Sequence, residues 1–210
     1  MVNHEGVNFF VTAHHVIESL NLIKSAYGFF LEKPIDLSKL NLKGDKNEDV
    51  VVAHLDSEWA ISKDIEKVRC IPFSLKDRTQ FKETGYYFFL GYPASKNKTM
   101  RIPKKPNRFI YSYTLKEKLI KSKNTSIKNH LAFQFDLNSF IDSQEKKLRP
   151  PHPRGMSGGP LFSVLKRETK NGARYGVNLV GIFSEYYSNE KEAVFTDKSE
   201  ILFCMNAWKQ

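Results

Sequence analysis

The chain has 210 residues and a formal net charge of +10, from 33 Lys and Arg against 23 Asp and Glu. Hydrophobic residues make up 40% of it and aromatic residues 13%, so a packed core can form, and a disordered or fibrous chain is excluded. The length fits one large domain or two small ones.

The positive charge is concentrated in one stretch. Lys96 to Lys128 contains eleven basic residues and a single acid, Glu117, and the rest of the chain is neutral in sum. Three aromatic residues, Phe109, Tyr111 and Tyr113, alternate among these charges. Such a stretch can dock an acidic protein or a nucleic acid through phosphate contacts and base stacking. It is more typical of a solvated hairpin, because a strand needs apolar residues at alternate positions for its core.

Several classes of protein find no support in the sequence. The two cysteines, Cys70 and Cys204, make no disulfide framework, which favours a reducing compartment and a cytoplasmic location. No signal peptide is visible, and the most apolar stretch, Tyr86 to Tyr92, is too short to cross a membrane. No zinc-binding spacing and no Gly-rich phosphate loop occurs, so we expect neither a metal nor an organic cofactor.

The first half of the chain reads mainly as strands. Val7 to Val11 is β-rich, and one or two helical turns follow from Thr12 to Ser19. Val50 to Leu55 is β-branched and apolar. Gly85 to Leu90 is an aromatic strand that Gly91-Tyr92-Pro93 ends.

The second half continues in the same style, ending in a helix. Period-two alternation predicts strands at Phe109 to Leu115 and Leu131 to Leu137, and Pro150 to Gly155 must be a loop. Two further apolar runs flank a hairpin turn at Asn171-Gly172, and the C-terminal segment has helical spacing; these are Leu161 to Leu165, Val177 to Phe183 and Ile201 to Trp208. The elements predict an all-β architecture, with a boundary after Pro93.

Three short patterns carry candidate chemistry. In Thr12-Ala13-His14-His15-Val16, a histidine directly follows a predicted strand. In Asp49-Val50-Val51-Val52, an acidic residue begins an apolar strand. Each of these alone is more typical of a structural residue. The run Gly155-Met156-Ser157-Gly158-Gly159-Pro160 is more specific. Its glycines permit the backbone geometry in which the N–H groups of Gly155 and Ser157 point at one oxyanion.

The three patterns, in the order His, Asp, Ser, resemble the trypsin-like (chymotrypsin-fold) serine peptidases, and most of all their bacterial intracellular branch without disulfides. Tyr87 to Pro93 and Val180 to Ser184 resemble further strands of that branch. The resemblance implies two six-stranded antiparallel β-barrels and a C-terminal helix. Residues 1–95 would form the first barrel, and residues 96–210 the second barrel with the helix.

The same resemblance implies a serine endopeptidase acting on protein or peptide substrates. Ser157 would be the nucleophile, His15 the base, and Asp49 the residue that orients His15, with the oxyanion held by the backbone N–H groups of Gly155 and Ser157. The motif places the histidine fourth in Thr-Ala-x-His, which selects His15 over His14. Three other acids compete with Asp49 for the third role: Asp45, Glu48 and Asp56. The alternative is a catalytically inactive binding module that uses the basic stretch.

The sequence departs from the family pattern in three places. Asn3 to Gly6 would be the turn of a hairpin whose first strand is missing, so we expect a first barrel that lacks its initial strands. Met156 replaces the Asp that pairs with a new N-terminus in zymogens. The substrate pocket, expected around Pro151, His152, Ser184, Glu185 and Tyr186, lacks the Asp of trypsin. His152 and Arg154 would favour an acidic substrate side chain and Glu185 a basic one, so the specificity stays open.

Overall fold

A computed structural model describes residues 1–22, 27–30, 33–36, 40–55, 70–73, 80–96, 110–116, 119–120, 130–141, 144 and 146–208. The chain divides into two compact units. The first combines Met1–Gln80 with Lys198–Gln210, and the second comprises Phe81–Asp197.

The described residues of the first unit form a five-stranded sheet, a two-stranded ribbon and two helices. The strands of the sheet lie in the order β5-β6-β2-β1-β7, and β3 pairs only with β4. The elements are β1 (Val2–His4), β2 (Val7–Thr12), α1 (His14–Leu22), β3 (Tyr27–Phe30), β4 (Lys33–Asp36), β5 (Leu42–Asp45), β6 (Val50–Leu55), β7 (Ile71–Pro72) and α2 (Lys198–Asn206).

The core of the first unit forms where β6 meets its neighbours. Val50, Val52 and Ala53 have no exposed surface, and β6 pairs antiparallel with β2 on one side and β5 on the other. Helix α2 packs on β6 and β5 and buries Ile201, Cys204 and Met205. The predicted C-terminal helix is therefore present and ends at Asn206.

The beginning of the chain differs from the prediction. The hairpin strand expected to be missing is present as the three-residue strand β1, which pairs antiparallel with β2 through Val2 and Phe9. The other side of β1 pairs in parallel with β7. The turn falls at Glu5-Gly6, both with positive φ, so it is one residue pair and not the whole Asn3 to Gly6 segment.

The second unit contains a seven-stranded sheet in the order β10-β11-β14-β13-β12-β8-β9, with every pair antiparallel. Its strands are β8 (Lys82–Gly91), β9 (Tyr111–Lys116), β10 (Leu119–Ile120), β11 (His130–Gln134), β12 (Pro160–Thr169), β13 (Gly172–Tyr187) and β14 (Glu192–Asp197). A 3-10 turn, Leu137–Ser139, follows β11. The predicted hairpin at Asn171-Gly172 joins β12 and β13.

An aromatic cluster fills the core of the second unit. Phe89, which has no exposed surface, stacks on Tyr113 at 5.0 Å and on Phe183 at 5.1 Å between ring centroids. The edges of Phe135 and Phe195 meet the same ring at 5.6 and 5.2 Å. Edge-to-face and offset packing of this kind adds to the stabilisation from burial alone.

The division between the units also differs from the predicted boundary at residue 95. Strand β8 pairs with β9 and β12, so residues 81–95 belong to the second unit, whereas α2 belongs to the first. The described sheets accordingly have five and seven strands in place of six each. The predicted fold class is confirmed, because a mostly β structure with two sheets and a C-terminal helix is consistent with a two-domain chymotrypsin-like β-fold. No helix among the described residues is long and apolar enough to cross a membrane.

Candidate active site

One carboxylate holds His15 at two points within the first unit. His15 lies in the first turn of α1, directly after β2. Its backbone N–H donates to Asp49 Oδ1 at 3.0 Å, and its ring Nδ1 lies 3.0 Å from Oδ1 and 2.9 Å from Oδ2. Because an ionised carboxylate only accepts hydrogen bonds, Nδ1 carries the proton. The neutral ring therefore has its lone pair on Nε2.

Asp49 occupies a tight turn that connects β5 and β6. Its φ is +52°, in the left-handed region that Asp and Asn tolerate better than most residues, and its N–H donates to the Lys46 carbonyl at 3.3 Å. The Asp49 side chain is 17% exposed and that of His15 is 46% exposed. The turn thus presents a largely covered carboxylate to an imidazole that solvent can reach.

The competing acids have other surroundings. Asp45 Oδ1 accepts the N–H groups of Asn47 at 2.7 Å and Glu48 at 3.2 Å, so its carboxylate organises the turn. Burial raises the pKa of Glu48, and the nearby carboxylates of Glu200 and Asp45 raise it further. Asp56 lies outside the described residues. The structure therefore brings His15 together with Asp49, whereas the Asp45 carboxylate binds the backbone of its own turn.

The neighbouring histidine, His14, faces a different carboxylate. Its Nδ1 lies 3.8 Å from Glu18 Oε1, one helical turn further along α1. Glu18 in turn pairs with Lys46 at 2.8 Å. Two consecutive histidines at the start of one helix thus point to two different acids, and only the second of them meets Asp49.

Ser157 lies in a compact loop of the second unit that several backbone hydrogen bonds define. The N–H groups of Met156, Gly158 and Gly159 donate to the carbonyls of Pro153, Phe183 and Met156, respectively, at 3.0, 2.7 and 2.9 Å. Within the described part of the chain, no acceptor is present for the N–H groups of Gly155 and Ser157. These are the two donors that the sequence predicted for an oxyanion.

Two positions of this loop require glycine because a Cβ atom there would meet neighbouring backbone. Gly155 has a φ of +89°, and a Cβ atom there would lie 3.0 Å from the backbone nitrogen of Ala94. A Cβ atom on Gly159 would overlap the carbonyl oxygen of Leu90. A larger residue at either position would therefore displace the loop from β8.

The residue before the serine is a core residue. Met156 is 1% exposed and belongs to the aromatic cluster of the second unit. It packs so closely on β8 that a Cβ atom at Gly91 would lie 2.7 Å from its own Cβ. An apolar side chain therefore anchors the loop to β8.

The Ser157 hydroxyl contacts the strand predicted to line the cleft. It donates to the backbone carbonyl of Ser184 at 3.0 Å. Ser184 itself is buried, Glu185 is exposed, and Tyr186 is half-buried against Phe135, with ring centroids 5.5 Å apart. The predicted pocket residues of this strand thus begin next to the serine.

The loop before the serine supplies the rest of the predicted pocket. Pro151 is buried, whereas His152 is exposed, and the His152 ring packs edge-on against Tyr186 at 5.2 Å. The backbone N–H of Arg154 donates to His152 Nδ1 at 3.1 Å. His152 and Tyr186, 34 positions apart in sequence, are therefore in direct contact.

Tyr113 contacts this loop, and the sequence did not predict that contact. Its ring is 1% exposed, and its hydroxyl donates to the carbonyl of Pro151. The sequence placed it among the charges of the basic stretch. The alternation Tyr111, Tyr113, Leu115 was the signal for its inward orientation, but not for its hydrogen bond.

Other predicted features fall partly outside the structure. Of the basic stretch Lys96 to Lys128, only 96, 110–116 and 119–120 are described. Among the residues with described positions, no group of three or more His, Cys, Asp or Glu side chains could hold a metal ion.

Comparisons with known proteins find a similarity of structure but none of sequence family. No protein-family model matches the chain, and no curated protein matches it. The chain is similar to a solved structure of a Glu endopeptidase in complex with MPD, with 14% sequence identity and a TM-score of 0.44, over 97% of this chain and 82% of the other.

Proposed function

We propose that the protein is a serine endopeptidase in which Ser157, His15 and Asp49 form a catalytic triad. The observation that carries the proposal is the double hold of Asp49 on His15, at the backbone N–H and at Nδ1. A partly exposed contact of this kind contributes little to stability. It does, however, fix the ring in the tautomer that a general base requires.

The serine loop supports the same proposal from the second unit. Ser157 is preceded by a left-handed glycine, Gly155, and the N–H groups of both residues have no acceptor among the described residues. Unused, rigidly held donors next to a hydroxyl are what the stabilisation of a tetrahedral oxyanion needs. A plain turn would need neither the steric cost at Gly155 nor the two open donors.

The proposed reaction is acyl transfer in two stages. Ser157 Oγ attacks the scissile carbonyl carbon while His15 Nε2 takes its proton, and the oxyanion accepts the N–H groups of Gly155 and Ser157. The C–N bond then breaks, and His15 gives the proton to the leaving amine. Water repeats the sequence on the resulting ester and frees the acid. Both proton transfers use His15, so the scheme needs no metal or organic cofactor.

Labelling of the full chain with a fluorophosphonate tests the proposal, together with hydrolysis of a peptide library. We expect wild type to label and cleave, Ser157→Ala to do neither, and His15→Ala to lose most of both. His14→Ala is the matched control, since that ring faces Glu18, and it should keep both activities. A wild-type protein that neither labels nor cleaves any member of the library would overturn the proposal.

The alternative function is a catalytically inactive module that docks an acidic partner or nucleic acid through Lys96 to Lys128. Most of this stretch lies outside the described residues, and no described contact favours the alternative. Unchanged biological activity of Ser157→Ala would be the result in its favour.

A further inference from the structure

Strand β13 has a free edge near its start. On one side it pairs with β12 along most of its length, whereas on the other side β14 covers it only at residues 181–187. Among the strands that the structure describes, none pairs with residues 173–177 on the β14 side, and we call these residues the outer edge of β13. They span about 17 Å of extended strand, and alternate residues direct their N–H and C=O groups away from β12.

The side chains along this edge are exposed. Tyr175 and Val177 are 67% and 49% exposed, and Ala173 and Arg174 are exposed as well. Because side chains alternate along a strand, Tyr175 and Val177 lie on one face of the hairpin and Arg174 on the other. Open N–H and C=O groups flanked by such side chains are a template for pairing with another chain.

The hairpin of β12 and β13 is strongly basic. Residues 166–174 contain four basic residues and one acid. Arg167 of β12 stands directly opposite Arg174 of β13, and Lys166 stands opposite Lys82 of β8. Like charges in directly opposite positions destabilise a sheet, and an anion bound between them would remove that cost.

The nearby acids leave the two arginines unneutralised. Glu168 pairs with Lys166 at 2.6 Å, and the alternation of side chains places that pair on the face opposite to Arg167 and Arg174. Glu83 lies on the arginine face, but within the described part of the chain neither arginine forms an ion pair with it or with another acid. Two neighbouring guanidinium groups are therefore open to an external carboxylate.

These features favour an acidic polypeptide over other occupants of the edge. A second copy of this chain at the same edge would bring its own Arg174 against the first, and the like charges would repel. A nucleic acid would use the charges but leave the backbone donors and acceptors of the edge without partners. An acidic strand pairs with the edge through its backbone and with the guanidinium groups through its carboxylates.

We propose that the outer edge of β13 is a docking site for an extended acidic segment of another polypeptide, which adds to the sheet as a further strand. Arg167 and Arg174 bind carboxylates on one face of that segment. Tyr175 and Val177 contact apolar side chains on its other face.

The docking site is distinct from the candidate active site. Ser157 Oγ binds the carbonyl of Ser184, which lies seven residues beyond Val177 on β13, or about 24 Å along the strand. Docking at the outer edge requires no catalysis, so the proposal goes beyond the proposed peptidase function and does not depend on it.

Binding of a synthetic octapeptide in which Glu alternates with Val tests the proposal on the full chain. Ser157→Ala is the background for all variants, so that the peptide stays intact, and fluorescence anisotropy of the labelled peptide gives Kd. We expect Arg167→Gln combined with Arg174→Gln to raise Kd by about fivefold or more at low salt, because two charge-assisted contacts are lost. The difference should shrink at high ionic strength, since both contacts are exposed.

Two matched controls accompany this measurement. Lys147→Gln combined with Arg149→Gln removes the same number of charges from exposed positions of the same unit, and Kd should stay within about twofold. An octapeptide in which Lys alternates with Val keeps the backbone and the apolar face, and we expect it not to bind, because its charges repel the arginines.

Hydrogen exchange measured by NMR locates the bound peptide. With free peptide at about ten times Kd, about nine tenths of the chain is occupied, so the outward-facing amides of residues 173–177 should exchange about tenfold more slowly. The amides of β14 already pair with β11 and β13 and should not change.

Several results would overturn the proposal. Unchanged Kd in the double arginine variant, or binding without slower exchange at residues 173–177, would place the peptide elsewhere, the candidate active site included. Equal affinity for an oligothymidylate of eight nucleotides would show a general anion-binding surface. Slow exchange of the same amides without peptide, together with a dimer in sedimentation, would show a second copy at the edge. Each of these results leaves fluorophosphonate labelling of wild type, and with it the peptidase proposal, as a separate test.

Discussion

The hydrogen bond from Tyr113 to Pro151 gives a quantitative prediction for Tyr113→Phe. The substitution removes one oxygen and keeps the ring, which packs on Phe89 at 5.0 Å and on Phe135 at 5.1 Å. The Pro151 carbonyl would remain buried without its donor. An unsatisfied buried acceptor costs about 1–3 kcal/mol, so we expect the free energy of unfolding to fall by that amount.

Urea unfolding at equilibrium measures this change, with Tyr175→Phe as the control. Tyr175 is 67% exposed, so removal of its hydroxyl should change the free energy of unfolding by less than about 0.5 kcal/mol. The slope of the transition should be the same in both variants and wild type, because neither change alters the surface exposed on unfolding. A Tyr113→Phe variant as stable as Tyr175→Phe would refute the assignment of that hydrogen bond.

The pH dependence of the same variant provides a second measurement. Burial raises the pKa of Tyr113, so the hydroxyl is protonated in the folded chain where the unfolded chain has begun to ionise. A raised pKa stabilises the folded state below the unfolded value of 10.0, and this contribution is lost as the pH rises above it. Wild type should therefore lose more stability than Tyr113→Phe above pH 10.

Three further predictions concern the surroundings of the proposed triad. Asp49→Asn should lower kcat by about 10⁴-fold with little change in fold, because an amide can hold the His15 ring in the wrong tautomer; steady-state kinetics and circular dichroism check this. Glu48→Gln should raise the free energy of unfolding at neutral pH and leave it unchanged below about pH 4, because the raised pKa of Glu48 opposes its ionisation in the folded chain. Thermal unfolding at both pH values measures the gain, and an equal gain at the two values would contradict the prediction. Gly155→Ala should abolish fluorophosphonate labelling, because its Cβ atom would press on Ala94 and the φ of +89° is strained; labelling at the wild-type rate would show that the loop tolerates the change.

Local signals in the sequence predicted much of the candidate site. The role of the glycines around Ser157 was predictable because the requirement for glycine depends on the local backbone. The structure shows this requirement at Gly155 and Gly159, where a Cβ atom would meet neighbouring backbone. The position of His15 within its motif separated it from His14, and the two rings do face different acids. These are features that a few neighbouring residues decide.

Features that depend on distant pairing were not predictable in the same way. Strand β8 was expected to close the first barrel, but its partners β9 and β12 lie later in the chain and draw it into the second unit. Strand β1 was missed because three residues carry too little periodicity to be recognised. The contact of His152 with Tyr186 and the hydrogen bond of Tyr113 also join residues more than thirty positions apart, which no local pattern specifies.

The discontinuity of the first unit has a consequence for the order of folding during synthesis. Helix α2 covers the hairpin β5–β6, whose turn carries Asp49, and Lys43 on that hairpin donates to the Ala207 carbonyl at 3.0 Å and lies 4.6 Å from the Trp208 ring. Yet residues 198–208 leave the ribosome only after the whole second unit. A nascent chain thus carries Asp49 on an uncovered hairpin until residues 198–208 have been translated. The assembly of the first unit is therefore timed by a segment that is translated after the second unit.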